Sequence, residues 1–311
     1  MIPGNPTTSA TVLAPAKLNL TFRVLGRRAD GYHEIESLVA FAALADTLTV
    51  ARSGGDTPAL VVDGPRAAGV PADASNLVLR AVAAACNAFG QPMDGLSWQL
   101  TKQVPVAAGL GGGSGDAGAA LRGLARLWRT DPADPRWDEI AGRLGADVPV
   151  CRNGLARFVT GTGTTLQPPV QLPPLGVLLV NPLICQPTPA VFAARTGPFA
   201  AARRHSFPDT APSAAALLDW LRRDENGLTD AAVSLVPEIS DILAALRALP
   251  GCRLARMSGS GASCFGLFDH PIDAVQRSEG LHLANPNWWV WAGALSCDCG
   301  HGHGDNSQPT R

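Results

Sequence analysis

Six glycines fall within ten positions of the chain: Gly109, Gly111, Gly112, Gly113, Gly115 and Gly118. They run into a segment where Ala117, Ala120, Leu121, Leu124 and Leu127 recur with helical spacing. At such a junction the first backbone N–H groups have no intrahelical acceptor and share one space, and the helix start adds partial positive charge. Without Cβ atoms in the way, phosphate can approach that backbone closely. The chemistry this favours is phosphate binding by main chain rather than by side-chain cations. A plain flexible loop is the weaker reading of so dense a cluster. The pattern G-x-x-x-x-G-K-[S/T] is absent, because no lysine follows the glycines. Gly113 to Gly118 does read G-x-G-x-x-G, with Asp134 and Asp138 about 20 residues on. A dinucleotide loop, however, leaves a central buried strand, and the preceding Lys102-Gln103-Val104-Pro105 does not suit one.

Other residues could act at a bound phosphate. Lys17 is the only lysine in the first hundred residues and sits in an apolar strand, where it either faces solvent or serves a site. Asp147 lies in Gly145-Ala146-Asp147-Val148-Pro149, the setting of an ordinary cap or turn aspartate or of a catalytic carboxylate. Ser114 is placed to cap the helix after the glycines or to meet a phosphate or Mg²⁺. Ser258-Gly259-Ser260-Gly261-Ala262 reads as a turn between two strands. Tyr32, the only tyrosine, adjoins His33 in a polar turn where surface residues are common.

Five blocks in order carry a family resemblance. They are Pro15-Ala16-Lys17-Leu18-Asn19-Leu20, Arg28-Ala29-Asp30-Gly31-Tyr32-His33-Glu34, Pro105 with Gly109-Leu110-Gly111-Gly112-Gly113-Ser114, Leu144-Gly145-Ala146-Asp147-Val148-Pro149-Val150, and Ser258 to Ala262. Together they resemble the GHMP kinases, and most closely the branch that acts on 4-diphosphocytidyl-2-C-methyl-D-erythritol in non-mevalonate isoprenoid synthesis. The blocks span residues 15 to 262. The sequence departs from the family where Gly115 follows Ser114 in place of a second serine, which leaves only backbone N–H there.

The resemblance implies an ATP-dependent kinase that transfers the γ-phosphoryl group to the C2 hydroxyl of diphosphocytidyl-methylerythritol, with Mg²⁺. It implies catalytic roles for Lys17, holding phosphate and carboxylate, and for Asp147, orienting the hydroxyl and accepting its proton. The ATP loop would be Pro105, Val106, Ala107, Ala108, Gly109, Leu110, Gly111, Gly112, Gly113, Ser114 and Gly115, with Asn76 and Lys102 toward adenine. Asn19, Tyr32, His33, Thr188 and Phe192 would bind the cytidylyl substrate. His33 would hydrogen-bond the pyrimidine, with Tyr32 and Phe192 as aromatic walls; core packing is the alternative for Phe192. Ser114 is the candidate metal contact. Rival readings are a homoserine or mevalonate kinase of the same superfamily, and a non-catalytic nucleotide- or RNA-binding module.

The elements that must hold these residues are partly visible. Strands are expected at Ala16–Val24, Thr47–Ala51, Leu60–Val62, Leu96–Lys102, Val177–Val180, Arg253–Met257 and Cys264–Phe268. A helix capped by Asp73 or Ser75 should carry Leu77, Val78, Val82, Ala85 and Phe89 on one face and stop at Gly90. Further helices are expected at Ser213–Arg223 and Pro237–Ala248, and the prolines of Gln167–Pro174 mark a linker or edge loop. The resemblance implies an α+β fold of two lobes with the site in the cleft between them. The N-terminal lobe (1–166) would be like domain 2 of ribosomal protein S5, and the C-terminal lobe (167–296) ferredoxin-like.

Composition narrows the class. Of 311 residues, 46% are hydrophobic and 16% charged, a globular balance. With 25 Lys plus Arg against 26 Asp plus Glu, the chain lacks the basic excess of a general nucleic-acid binder. No window approaches the roughly 18 apolar residues of a membrane span, and no signal peptide is evident. Seven scattered cysteines without C-x-x-C argue against a disulfide framework. A cytoplasmic monomer or homodimer that binds neither membrane nor nucleic acid is expected. Residues 297–311, with Cys297, Cys299, His301 and His303, are expected to form a disordered tail rather than a zinc site.

Overall fold

The computed structural model of the chain describes residues 8–53, 59–201, 207 and 212–296. The 297–311 tail with its cysteines and histidines lies outside the described residues. In chain order, the first half runs β1 (Ser9–Asn19), β2 (Arg23–Arg27), β3 (His33–Arg52), β4 (Ala59–Asp63), α1 (Leu77–Phe89), β5 (Leu96–Thr101), α2 (Gly112–Trp128), α3 (Pro135–Leu144) and α4 (Val148–Asn153). There follow β6 (Arg157–Gly161), β7 (Thr165–Pro169), β8 (Leu175–Asn181), α5 (Thr188–Ala194), α6 (Ala214–Leu221), α7 (Thr229–Leu235) and α8 (Glu238–Ala248). The chain closes with β9 (Leu254–Met257), β10 (Cys264–Phe268), α9 (Pro271–Ala284) and β11 (Trp289–Ser296).

The strands form one mixed sheet in the order β4-β5-β3-β11-β8-β10-β9, with β1, β2 and β6 also pairing with β3 and β7 pairing with β6. The spine is β3, 20 residues long. Sequence periodicity finds only its end, Thr47–Ala51. The reason is burial on both faces from Ser37 to Ala42, which erases the apolar–polar alternation of a half-exposed strand. The strand expected at Ala16–Val24 is two strands, and β1 extends back to Ser9. The proline-rich stretch is not wholly a loop. Gln167–Pro169 ends β7, an exposed strand where missing N–H donors are tolerated.

Helix α1 is capped by Asn76, whose side chain accepts from the Val78 N–H, and not by Asp73 or Ser75. Gly90, left-handed, ends it as expected. One core packs α1, α2 and α3 on β1, β3 and β5, with Trp98, Leu121, Leu124 and Trp137 at its centre. A second joins the two halves, since Leu18, Ala40 and Leu110 pack with Leu179, Trp220 and Phe265. A third sets α7 and α8 against β8, β9 and β10 through Ile239, Ile242 and Phe268. The five cysteines among the described residues are free thiols. No helix among those residues is long and apolar enough to cross a membrane.

Candidate active site

Alternation along β1 sends Ala16, Leu18 and Leu20 into the central core and turns Lys17 and Asn19 toward a cleft of about 1080 Å³. The β1–β3 register shifts between Pro15 and Lys17. The Lys17 N–H then bonds the Leu110 carbonyl at 2.8 Å, tying the strand to the glycine loop. Lys17 Nζ donates to Asp147 Oδ2 at 2.9 Å. Asp147 occupies the cap position of α4 but makes no side-chain cap bond; its carboxylate faces Lys17 instead. The short α4 can approach because Gly118 of α2 has no side chain: a Cβ there would stand 2.7 Å from the Arg152 nitrogen.

The glycine loop delivers Gly109, Gly111 and Ser114 to the same cleft. Gly111 takes a left-handed conformation and α2 starts at Gly112 with no side-chain cap bond, so Ser114 is not the cap of its helix. A Cβ on Gly109 would lie 2.2 Å from the Gly261 carbonyl oxygen. The two glycine-rich segments therefore meet backbone to backbone. Gly259 reaches the cleft, whereas a Cβ on Gly261 would meet Met257 Sδ at 2.8 Å and Gln186 Oε1 at 2.9 Å, so its bare backbone serves packing rather than a ligand. Thr188 and Ser260 join through their hydroxyls at 2.8 Å beside Gly259. Asn19 donates through Nδ2 to Ser37, while its buried Oδ1 has no donor.

At the far end His33 opens β3, and so is not in the turn. Its ring stacks on Phe192 with centroids 4.7 Å apart and planes at 22°. Tyr32, 66% exposed, stands at the rim. Burial first, then the charges of Arg27 and Arg195, hold the His33 imidazole below its ordinary pKa.

The other expected ATP residues are distributed differently. Pro105, Val106 and Ala107 line a separate cavity of about 210 Å³ beside Asn181 and Cys185. Ala108 and Leu110 turn their side chains into the central core, leaving only backbone for a ligand. Gly112 and Gly113 open the first turn of α2, and the Gly115 N–H already bonds the Gly111 carbonyl at 2.7 Å. Asn76 spends its amide on its own cap and on the Pro71 carbonyl. The Lys102 side chain does not reach the cleft: its ammonium is buried between Asp46 and Asp116, bonding Asp116 Oδ2 at 2.7 Å. Asp46 Oδ1 also accepts from the N–H groups of Gln103 and Val104. This trio clamps the strand before the glycine loop to the helix after it, and sequence reasoning missed both of its carboxylates. One signal was present: Lys17 and Lys102 are the chain's two lysines among 25 basic residues.

Among the described residues, no group of three His, Cys, Asp or Glu side chains could hold a metal ion. The residues present suit Mg²⁺ carried by phosphate oxygens, which needs only one or two protein ligands. Asp147 with its second oxygen, and the Ser114 hydroxyl, are the groups facing the loop.

Comparison with known proteins agrees with this layout. The family profile described as "GHMP kinases N terminal domain" matches residues 76–154, and "GHMP kinases C terminal" matches residues 210–283. The chain is 46% identical over 285 residues to the 4-diphosphocytidyl-2-C-methyl-D-erythritol kinase of Paramagnetospirillum magneticum, covering 91% of this chain and 97% of that one. It is 45% identical over 300 residues to the kinase of the same name from Gluconacetobacter diazotrophicus, covering 94% and 97%. A crystal structure of 4-(cytidine 5'-diphospho)-2C-methyl-D-erythritol kinase superposes with a TM-score of 0.73 at 36% identity, over 92% of this chain and 99% of that one. Homoserine kinase from Cytophaga hutchinsonii shares the fold, with a TM-score of 0.63 at 17% identity over 96% and 97% of the two chains. With glycine loop, paired Lys17 and Asp147, and both halves matched, the chain belongs to the GHMP kinases and, within them, to the 4-diphosphocytidyl-2-C-methyl-D-erythritol kinase family.

Proposed function

We propose that the protein transfers the γ-phosphoryl group of ATP to the C2 hydroxyl of 4-diphosphocytidyl-2-C-methyl-D-erythritol, releasing ADP and the 2-phosphate. The observation that carries this is the Lys17–Asp147 pair, set in one cleft between the start of α2 and the His33–Phe192 stack. The free N–H groups at the start of α2 bind the phosphates of ATP. Asp147 accepts a hydrogen bond from the C2 hydroxyl, orients its oxygen toward the γ-phosphorus, and takes the proton as the new P–O bond forms. Because such transition states are loose, that proton moves late and a strong base is not required. Lys17 neutralises charge on the transferring oxygens and fixes the Asp147 carboxylate. Asp147 and Ser114 are the residues that would hold Mg²⁺, which would supply further charge neutralisation when bound with ATP. Asn19 lines the cleft beside Lys17, and the His33–Phe192 end takes the cytosine.

The test is ADP release with the cytidylyl substrate, homoserine and mevalonate side by side. Turnover of the cytidylyl substrate alone is expected. Turnover of homoserine or mevalonate instead would place the protein with another GHMP kinase, and turnover of none would leave a binding module.

A further inference from the structure

Among the described residues, two arginines of the cleft have no carboxylate partner. Arg27 lies directly across the β2–β3 ladder from His33, so the two side chains emerge side by side on one face. Arg195 follows α5, which carries Phe192. Its guanidinium lies over the Phe199 ring at 4.7 Å, and Phe199 in turn is 6.3 Å from the His33 ring. Both arginines line the cleft, and both bear on His33 electrostatically, as the depressed imidazole records.

The acids of the cleft do not compensate them. Asp147 is paired with Lys17, and Asp30 with Arg28, which also holds Glu34. Among the described residues neither Arg27 nor Arg195 makes an ion pair. Arg195 is also fixed in place. It donates to the Gly197 and Pro198 carbonyls, and its Nε–H is buried without an acceptor. A guanidinium held by aromatic stacking and backbone bonds loses little freedom when an anion arrives, and its planar fork suits phosphate oxygens. Two uncompensated cations flanking an aromatic base slot favour a base joined to a dianionic group over a bare base.

We propose that Arg27 and Arg195 form the subsite for the diphosphate of the nucleotidyl substrate, flanking the His33–Phe192 stack. This rests on the functional reading above. It gives the cleft two separate phosphate sites, one of main-chain N–H groups for ATP and one of guanidinium groups for the acceptor. Selection for a diphosphate next to the pyrimidine then comes from side chains that none of the five sequence blocks predicts to have that role.

The experiment measures inhibition constants of CDP and cytidine against the cytidylyl substrate for wild type, Arg27→Gln, Arg195→Gln and the double variant. KM for ATP and thermal melts are read in parallel. For wild type, CDP should bind more tightly than cytidine. Each substitution should weaken CDP and raise the substrate KM by about tenfold, the loss of one charge-assisted contact. Cytidine affinity, KM for ATP and Tm should stay unchanged. If KM for ATP rises instead, the arginines serve the triphosphate and the proposal fails. If cytidine and CDP weaken equally, the arginines only shape the base slot and it fails as well. If wild type binds neither compound and does not turn over the cytidylyl substrate, the functional reading itself falls, and this inference with it.

Discussion

Lys17 and Asp147 lie 130 positions apart in the chain and meet through a single hydrogen bond of 2.9 Å. The pair is asymmetric: the Lys17 side chain is 6% exposed and that of Asp147 45%. The ammonium is a fixed, inward charge, and the carboxylate keeps one oxygen for the cleft.

Asp147→Asn keeps the size of the side chain and should melt like wild type, yet lose about 10²–10⁴-fold in kcat, the usual contribution of a proton acceptor. Lys17→Ala should lose a similar order. The double variant should be hardly worse than the poorer single one, because each residue acts through the other. Single-turnover rates with melting controls decide this. An Asp147→Asn enzyme with near-wild-type kcat would make Asp147 a structural turn residue.

A depressed His33 pKa sets a pH window. Its neutral form persists below the ordinary histidine value of 6.5, because partial burial disfavours the charged ring and the Arg27 and Arg195 charges then repel it. KM for the cytidylyl substrate should therefore be flat as pH falls through 6.5 and rise only at lower pH. Arg27→Gln or Arg195→Gln should move that break upward toward 6.5. A wild-type break already at 6.5 would show that the arginines do not bear on the ring.

Asp116 gives the opposite dependence. Burial pushes its carboxyl from 3.8 up to about 7, against the pull of Lys102, and its Oδ1 is buried without a partner. The folded protein then keeps a proton that the unfolded chain has lost. This contribution to stability is full below about pH 4 and fades as pH rises to 7. Asp116→Asn should remove that slope in denaturant unfolding between pH 4.5 and 8, and parallel curves for the two proteins would refute it. Lys102→Met, which strands both carboxylates, should cost about 3–5 kcal/mol.

The contact between Gly109 and Gly261 predicts a further class of variant. At Gly109 a side chain meets both a left-handed backbone (φ +73) and a carbonyl at 2.2 Å. Backbone cannot rotate aside as a side chain would, so Gly109→Ala should lower Tm and raise KM for both substrates. Gly115→Ala meets nothing closer than 3.6 Å and should instead raise stability by about 0.5–1 kcal/mol as a helix-interior gain.

What could be read from the sequence follows from how local each signal is. The glycine loop and α1 are contiguous patterns and were legible, although the cap fell to Asn76 because its amide reaches the Val78 N–H. Lys17 and Asp147 were legible only through family blocks, since nothing local says that residues 130 apart meet. Asp46 was not legible. It is one aspartate in a strand buried on both faces, and its function depends on Gln103, Val104 and Lys102 arriving from elsewhere. Phe192 was open between core and ligand; it proves partly buried against the third core while stacking on His33.

The place of β11 has a consequence for the order of events during synthesis. It is made after every other element, yet it pairs with β8 along its whole length and with β3 at its end, and so sits between strands of the two halves. Until Trp289 to Ser296 leave the ribosome, β3 and β8 lack their shared neighbour. The N-terminal layer of α1, α2 and α3 can condense early, because its partners precede it or lie nearby. The cleft should instead mature only once β11 has joined the sheet, as late, long-range pairing is slow. A free chain truncated after residue 288 should protect α1 and α2 from protease but leave the β8 region open to cutting, and a chain carried through residue 296 should close it.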